Sequence, residues 1–490
     1  MSVSPTRLFS QTFLVSSGSL LIAACTLVVT RAYTQRYGAF DLSAVLIFRL
    51  YGSLLLACAA LGMPIALQRT VAYLRSYPTR AAGAVLAGLP IAAASLAAGC
   101  SVSAFFAEPI ARFLEHPAAT DLWRAFMVLT FAQALSTMVS LVQLARARAL
   151  ESVGTAVAAL GLAPLLGVSF FRDASLSRVI LWTAVMTGVA TVPSLVRIVA
   201  WIVSQGQMKP LREAAVLLRY GLRRVPASAL EPALDLILPW MAVLSGAGLI
   251  GAGSLAIGLA LMRPLNPISG ALSQVLIPAS AATIARGDFA EHAIRAGRVA
   301  QWALQGGTFA TFQMIVWADV LIRIWLGPEY GPAAGVAAVV CLSLAPSFLF
   351  ACLRGLIDGE TDKAVNTRNL CVALLVFAAA SGLLGWLRLG GTAALALAYL
   401  VSRVALAALT LRYVATANRV NFFSLRPGMA LVSGFLLGAG AVALRELLPA
   451  HYDVLEMVVY VPLAALAFTA AMTATGMEWT HPLRRRLWAT

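Results

Sequence analysis

Windows of about 20 consecutive apolar residues recur from one end of this chain to the other, and that recurrence leaves few folds open. At 1.5 Å per residue, ~20 helical residues span the ~30 Å of a bilayer's hydrocarbon. Inside hydrocarbon a segment must satisfy its own backbone hydrogen bonds, so stretches of this length become helices. Fourteen windows are readable: 12–32, 43–63, 81–103, 122–145, 153–171, 178–202, 226–246, 249–276, 299–325, 333–355, 369–388, 392–413, 428–448 and 455–475. No connection between them is long enough to fold as a separate domain. With 60% hydrophobic and 11% charged residues, the composition excludes a soluble globular protein. The pattern predicts an all-α integral membrane protein with about 14 transmembrane helices.

The net charge of +16 has a topological explanation and requires no nucleic acid. Basic loops stay on the cytoplasmic side of a membrane. With the N-terminus inside, 23 of the 36 Lys and Arg residues fall on inner segments, 9 outside and 4 within spans. That asymmetry predicts a multi-pass membrane protein of fourteen spans with both termini cytoplasmic; the resemblance described below implies a bacterial inner membrane. The six cysteines lie in apolar windows without a C-x-x-C spacing and read as packing residues. Ile22-Ala23-Ala24-Cys25 has the form of a lipoprotein cleavage site, but the apolar run continues through Val29, so the first window is an uncleaved helix.

A weak internal repeat organises the spans. Ala107-Glu108-Pro109-Ile110-Ala111-Arg112 follows the third window and Ala318-Asp319-Val320-Leu321-Ile322-Arg323 closes the ninth; Pro64 and Pro278 correspond at a similar offset. Six spans per unit is even, so both units keep one orientation, a parallel repeat. The expected organisation is an N-terminal lobe (1–208, spans 1–6), a basic amphipathic cytoplasmic linker (209–225), and a C-terminal lobe (226–427, spans 7–12). Residues 428–490 add a helix pair and a basic tail. The linker suits an anionic leaflet surface. Tryptophans near span ends, Trp123, Trp182, Trp317, Trp325 and Trp386 outside with Trp201, Trp302 and Trp479 inside, read as interfacial anchors.

Catalytic signatures are missing. There is no Walker loop, G-x-S-x-G, H-E-x-x-H or C-x-x-C, and His116, His292, His451 and His481 fall in connections or the tail. The largest outer connection, about 104–121, holds few groups suited to catalysis. The chain reads as a transporter, not an enzyme, with no cofactor or metal expected.

The candidate site consists of charges inside spans, which are costly there and usually face a partner or a wet cavity. Arg49, Glu231, Asp235, Arg263 and Arg403 are the candidates. Glu231 and Asp235 share a helix face at i,i+4. Helical rise brings Asp235, Arg263 and Arg403 to similar depth, so Asp235 with Arg263, and Glu231 with an arginine such as Arg223, are readable as ion pairs. Arg49 has no acid near it in sequence, which suggests an anion-binding cavity, since guanidinium offers forked donors to phosphate oxygens. Met262-Arg263-Pro264-Leu265-Asn266-Pro267 should kink the eighth span, and Pro226, Pro232 and Pro239 the seventh.

Four stretches carry a family resemblance: Leu61–Ala72 (LGMPIALQRTVA), Arg219–Ala229 (RYGLRRVPASA), Leu321–Ala334 (LIRIWLGPEYGPAA) and Arg354–Val365 (RGLIDGETDKAV). With them the chain resembles the polysaccharide (O-antigen and exopolysaccharide) flippases of the multidrug/oligosaccharidyl-lipid/polysaccharide exporter superfamily. The resemblance implies two lobes alternating between inward and outward states and an undecaprenyl-diphosphate-linked oligosaccharide as cargo. Membrane lipids, a polysaccharide polymerase and a chain-length regulator are the partners it implies. Arg49 and Arg263 occupy places similar to cavity arginines of related peptidoglycan-precursor flippases. Those relatives also carry charged residues in the first span, where this chain has Cys25 and Thr26, which argues against the peptidoglycan role. On this reading Arg49, Arg263 and Arg403 bind substrate, while Glu231 and Asp235 pair with arginines or carry a coupling ion. Two alternatives stand: a polymerase or ligase of polysaccharide assembly, and a cation-coupled multidrug exporter of the same superfamily.

Overall fold

The computed structural model describes residues 5–74, 77–115, 119–171, 173–206, 208–285, 287–361, 363–418, 427–447 and 453–474. Every regular element among them is helical. The first half of the chain comprises α1 (Pro5–Ala59), α2 (Met63–Tyr73), α3 (Pro78–Phe105), α4 (Ala107–Phe113), α5 (Ala119–Ala145), α6 (Ala149–Ala156), α7 (Ala163–Phe170) and α8 (Leu176–Val203). The second comprises α9 (Pro210–Leu244), α10 (Gly248–Met262), α11 (Asn266–Ala285), α12 (Phe289–Trp325), α13 (Ala334–Cys341), α14 (Leu344–Glu360), α15 (Val365–Trp386) and α16 (Thr392–Asn418). A final pair follows, α17 (Pro427–Leu447) and α18 (Asp453–Ala474).

Twelve helices among the described residues are long and apolar enough to cross a membrane, or thirteen when the pair ending in α13 and α14, bent by 48°, is one broken span. The first of them, Phe13–Ala59, has 47 residues, ~70 Å of helix and more than twice a bilayer's hydrocarbon. It divides at Gly38, whose φ of 78° and ψ of −176° no helix contains and which only glycine adopts freely. The two parts fall on the windows 12–32 and 43–63. Read as two crossings, α1 brings the number to the fourteen expected from the sequence.

The eighth span breaks where its prolines predict. Its helix ends at Met262, a 3-10 turn covers Arg263–Leu265, and α11 restarts at Asn266. The seventh does not: α9 runs unbroken through Pro226, Pro232 and Pro239. Spaced six and seven residues apart, each proline removes one hydrogen bond without disturbing the next, a loss that packed membrane helices absorb. The basic stretch 209–225 is likewise no separate element but the first turns of α9. Its Leu217 is buried in the apolar core of the first half, and its buried Glu213 accepts a 2.9 Å hydrogen bond from Arg80 of α3. The segment is docked on protein along one side, while Leu211, Val216 and Leu222 remain exposed.

Two tryptophans expected at the interface are instead core residues. Trp123 is fully buried and donates to the Ser103 carbonyl at 2.7 Å; Trp317 is buried and donates to Gln313 at 3.3 Å. His292 is buried in α12, not in a connection, 3.5 Å from Glu360. His116, His451, His481, Trp479 and the basic tail lie outside the described residues.

The apolar core is organised by depth. One cluster, reaching from Val29 and Phe48 through Trp123 to Leu255, Tyr399 and Leu406, draws residues from both halves. It occupies the end that carries Gly38 and the turns before α5, α8 and α10. At the opposite end the first half has its own cluster, around Leu67, Val85 and Val142, and the second another, around Ala300, Leu353 and Val414. The halves are therefore sealed together at one end and separately packed at the other. α17 packs on α12, and Arg445 clasps Asp319 with two bonds of 3.0 and 2.8 Å, tying the final pair to the second half.

Candidate functional site

The five charges singled out in the sequence converge where the shared core gives way to the separate ones. Arg49 stands on the second part of α1, next to core residues Phe48 and Leu50. Glu231 and Asp235 lie one turn apart on α9, Arg263 opens the 3-10 turn between α10 and α11, and Arg403 lies on α16. All but Arg49 line one cavity of about 80 Å³, together with Tyr399 and Asn266. Arg49 lies behind it, within electrostatic reach of Arg263. Around these charges the space is narrow in this state, well below the roughly 300–1,000 Å³ of a typical ligand pocket.

The ion pairs differ from those expected. Asp235 does not bind Arg263; it binds Arg403 and also accepts a 2.7 Å hydrogen bond from the Tyr399 hydroxyl. Tyr399 and Arg403 are one turn apart on α16, and the guanidinium sits 4.9 Å from the Tyr399 ring centroid. Glu231 does not bind Arg223 but Arg354 of α14. The reason is side-chain direction, which depth along a helix cannot supply. The sequence places Asp235, Arg263 and Arg403 at one level, and packing decides which two meet.

Arg354 and Tyr399 are the residues the sequence reading missed. Arg354 opens the stretch RGLIDGETDKAV, where it carries part of the resemblance and no role in the site. Tyr399 could have been found from its i,i+4 spacing to Arg403, which puts phenol and guanidinium on one face.

These pairings set the charge of the cavity. Glu231 is neutralised by Arg354 and Asp235 by Arg403. Among the described residues Arg49 and Arg263 have no carboxylate within ion-pair distance; Arg49 donates only to the Thr30 hydroxyl, at 3.2 Å. Two guanidiniums are thus left over at membrane depth, each only partly exposed. Uncompensated cations in so apolar a setting attract an anion, and neighbouring forks suit a group with several oxygens. No group of three or more His, Cys, Asp or Glu able to hold a metal ion occurs among the described residues.

No protein-family model matches the sequence, and no curated protein matches it. Solved structures do match in fold. A eukaryotic MATE transporter, AtDTX14, superposes with a TM-score of 0.64 at 14% identity, over 88% of this chain and 99% of that one. The lipid II flippase MurJ in its inward closed conformation gives 0.64 at 11% identity, over 94% and 99%. An outward-facing multidrug resistance MATE family transporter of the MOP superfamily gives 0.62 at 12% identity, over 87% and 99%. Over 87–94% of its length, this chain therefore has the fold of MATE and MurJ membrane transporters.

Proposed function

We propose that the chain is a flippase that carries undecaprenyl-diphosphate-linked oligosaccharide from the inner to the outer leaflet of a bacterial inner membrane, for surface polysaccharide or exopolysaccharide synthesis. The observation that carries this reading is the surplus of positive charge in and around the cavity. Arg263 and Arg403 line it, Arg49 and Arg354 stand behind its wall, and against these four are Glu231 and Asp235; the unpaired Arg49 and Arg263 offer their donors to a diphosphate. Arg403 contributes to the same field while bound to Asp235 and Tyr399.

The narrow cavity of about 80 Å³ fits an alternating mechanism. A sugar headgroup needs several hundred Å³, so the halves must separate around the arginines before cargo enters. The end at which the two apolar cores are already distinct is the end that opens, and the basic loops make it the cytoplasmic one. Each negative charge leaving an inside-negative cell gains ~2.3 kcal/mol per 100 mV. Direction therefore follows from the field on an anionic cargo without a coupled proton.

The second reading, a cation-coupled drug exporter, has the likeness to multidrug transporters in its favour. Glu231 and Asp235 would carry it, and both are bound to arginine, which leaves no spare carboxylate among the described residues lining this cavity for a proton or sodium ion.

The test is reconstitution in liposomes with a fluorescent undecaprenyl-diphosphate oligosaccharide, scoring the fraction that reaches the far leaflet. Flipping that depends on Arg49 and Arg263 supports the reading. Export of cationic dyes without any movement of the lipid-linked sugar overturns it. In cells, loss of the protein should leave short lipid-linked units facing inward; units facing outward would identify a polymerase instead.

A further inference from the structure

Arg354 belongs to two pairs at once. On the cavity side it binds Glu231; away from the cavity its Nε lies 3.8 Å from Asp358, one turn along α14. Asp358 in turn accepts a 2.7 Å hydrogen bond from Arg224, and Asn366 of α15 donates to the same carboxylate at 3.0 Å. Arg224 and Glu231 are seven residues apart on α9, two turns along one face. α9 and α14 are therefore joined by two ionic rungs, Glu231–Arg354 and Arg224–Asp358, with Pro226 between them.

The first turns of α9 are also fastened to the other half of the molecule. Gly221 meets the turn before α2 so closely that a Cβ on it would lie 2.5 Å from the Leu61 carbonyl oxygen. The Tyr220 ring lies between the guanidiniums of Arg69 on α2, at 4.4 Å, and Arg224, at 5.6 Å. Glu213 holds Arg80. One helix is thus fastened to the first half up to Gly221 and, from Arg224 to Glu231, to α14 of the second, before it enters the core that both halves share. If the halves rock, α9 must bend between these points, and Pro226, with no amide hydrogen to lose, is the least costly place.

We infer that the Glu231–Arg354 and Arg224–Asp358 ladder is a latch that holds the docked start of α9 against α14 in this state, and that an anion entering the cavity opens it by drawing Arg354 away from Glu231. The latch stands on the geometry alone. The anion step rests on the function proposed above.

The experiment uses the full-length protein in nanodiscs, with its native cysteines replaced and spin labels at Thr79 and Lys363, two exposed positions on the ends of the two halves that carry separate cores. Distance distributions are recorded for the parent, Arg224→Gln, Glu231→Gln and the conservative Arg224→Lys, with and without inorganic pyrophosphate. Loss of either rung should change the ratio of the two populations by at least about fivefold, the lower end of coupling between linked sites, and Arg224→Lys should not. Pyrophosphate should move the parent toward the distribution of Glu231→Gln and leave that variant unmoved. Should Arg224→Gln fail to fold, Glu231→Gln carries the comparison alone. Folded rung variants with the parental distribution overturn the latch. Pyrophosphate that binds, by calorimetry on the same sample, without shifting the parent overturns the anion step and leaves the cavity reading intact. Pyrophosphate that does not bind at all overturns the cavity reading, while the latch is still judged by the rung variants.

Discussion

Asp235 is held by Arg403, not by Arg263, although both arginines line the same cavity. This pairing sorts the charges into a fixed scaffold and a free pair. Arg403 is 3% exposed and anchored by Asp235 and Tyr399, whereas Asp235 keeps 32% of its side-chain surface open to the cavity.

That asymmetry makes the two halves of the ion pair unequal under mutation. Asp235→Asn strands a buried guanidinium and should cost about 3–5 kcal/mol, the usual penalty for removing one partner of a buried pair. Arg403→Leu strands a carboxylate that can take water from the cavity, so its cost should be smaller, about 1–3 kcal/mol. Joining Asp235→Asn to Arg403→Leu should recover much of the loss, because neither charge is then left without its partner. Thermal unfolding of the four proteins in one detergent checks the order. Equal losses in both single variants, with an additive double, would mean the pair is not desolvated as described.

Arg49→Gln and Arg263→Gln should leave unfolding temperatures nearly unchanged, since neither residue has an acidic partner to strand. Their effect belongs to the cargo. Each removes one charge-assisted contact to a diphosphate, about 1.5–3 kcal/mol, or roughly 10- to 150-fold in affinity. Lysine in place of either keeps the charge but loses the fork, and should fall in between. Flipping assays in liposomes measure this directly, and full transport by both glutamine variants would remove the basis of the anion site.

How much of this was legible in the sequence depended on which physical effect carried the information. The helices were readable because hydrocarbon imposes one length and one kind of backbone on every crossing; the break at Arg263–Leu265 followed from Pro264 and Pro267. The five charged residues were readable for the same reason, as exceptions to a solvent rule. Their partners were not. Glu231 with Arg354 joins α9 to α14 across 123 residues, and Asp235 with Arg403 joins α9 to α16 across 168. Rise along a helix gives depth but not azimuth, and azimuth decides contact. Burial of Trp123 and Trp317 escaped notice on similar grounds: an interfacial position and a core position at one depth differ only in the direction the ring faces.

Gly221 offers a sharp packing test. A Cβ there would lie 2.5 Å from the Leu61 carbonyl oxygen, a backbone atom that cannot swing aside. Gly221→Ala should therefore push the start of α9 off the turn before α2 and destabilise the protein by about 1–3 kcal/mol of overpacking, read as a lowered unfolding temperature. Gly154→Ala is the matched control. It lies inside α6 with nothing within 4 Å of its added methyl, and should be neutral or stabilising by about 0.5–1 kcal/mol. If both alanines behave alike, the close approach of α9 to α2 is wrong.

The division of the apolar core also makes a claim about access. The shared cluster seals the halves at the end bearing Gly38, and the separate clusters leave a seam at the end bearing the basic loops. A cysteine at Asn266, an exposed residue lining the cavity, should therefore meet a membrane-impermeant maleimide from only one side. The native protein already carries exposed Cys58 and Cys371, so the measurement needs a cysteine-free background. By the distribution of Lys and Arg that side is the cytoplasm, and Lys363→Cys, in an exposed connection between α14 and α15, should label from the same side. Arg388→Cys, beyond the far end of α15, should label only from the opposite one. In inverted vesicles the pattern should be Asn266→Cys and Lys363→Cys reactive, Arg388→Cys silent; in intact spheroplasts it should invert. Asn266→Cys reacting together with Arg388→Cys would mean the cavity opens outward, and the sealed and seamed ends would have to exchange roles.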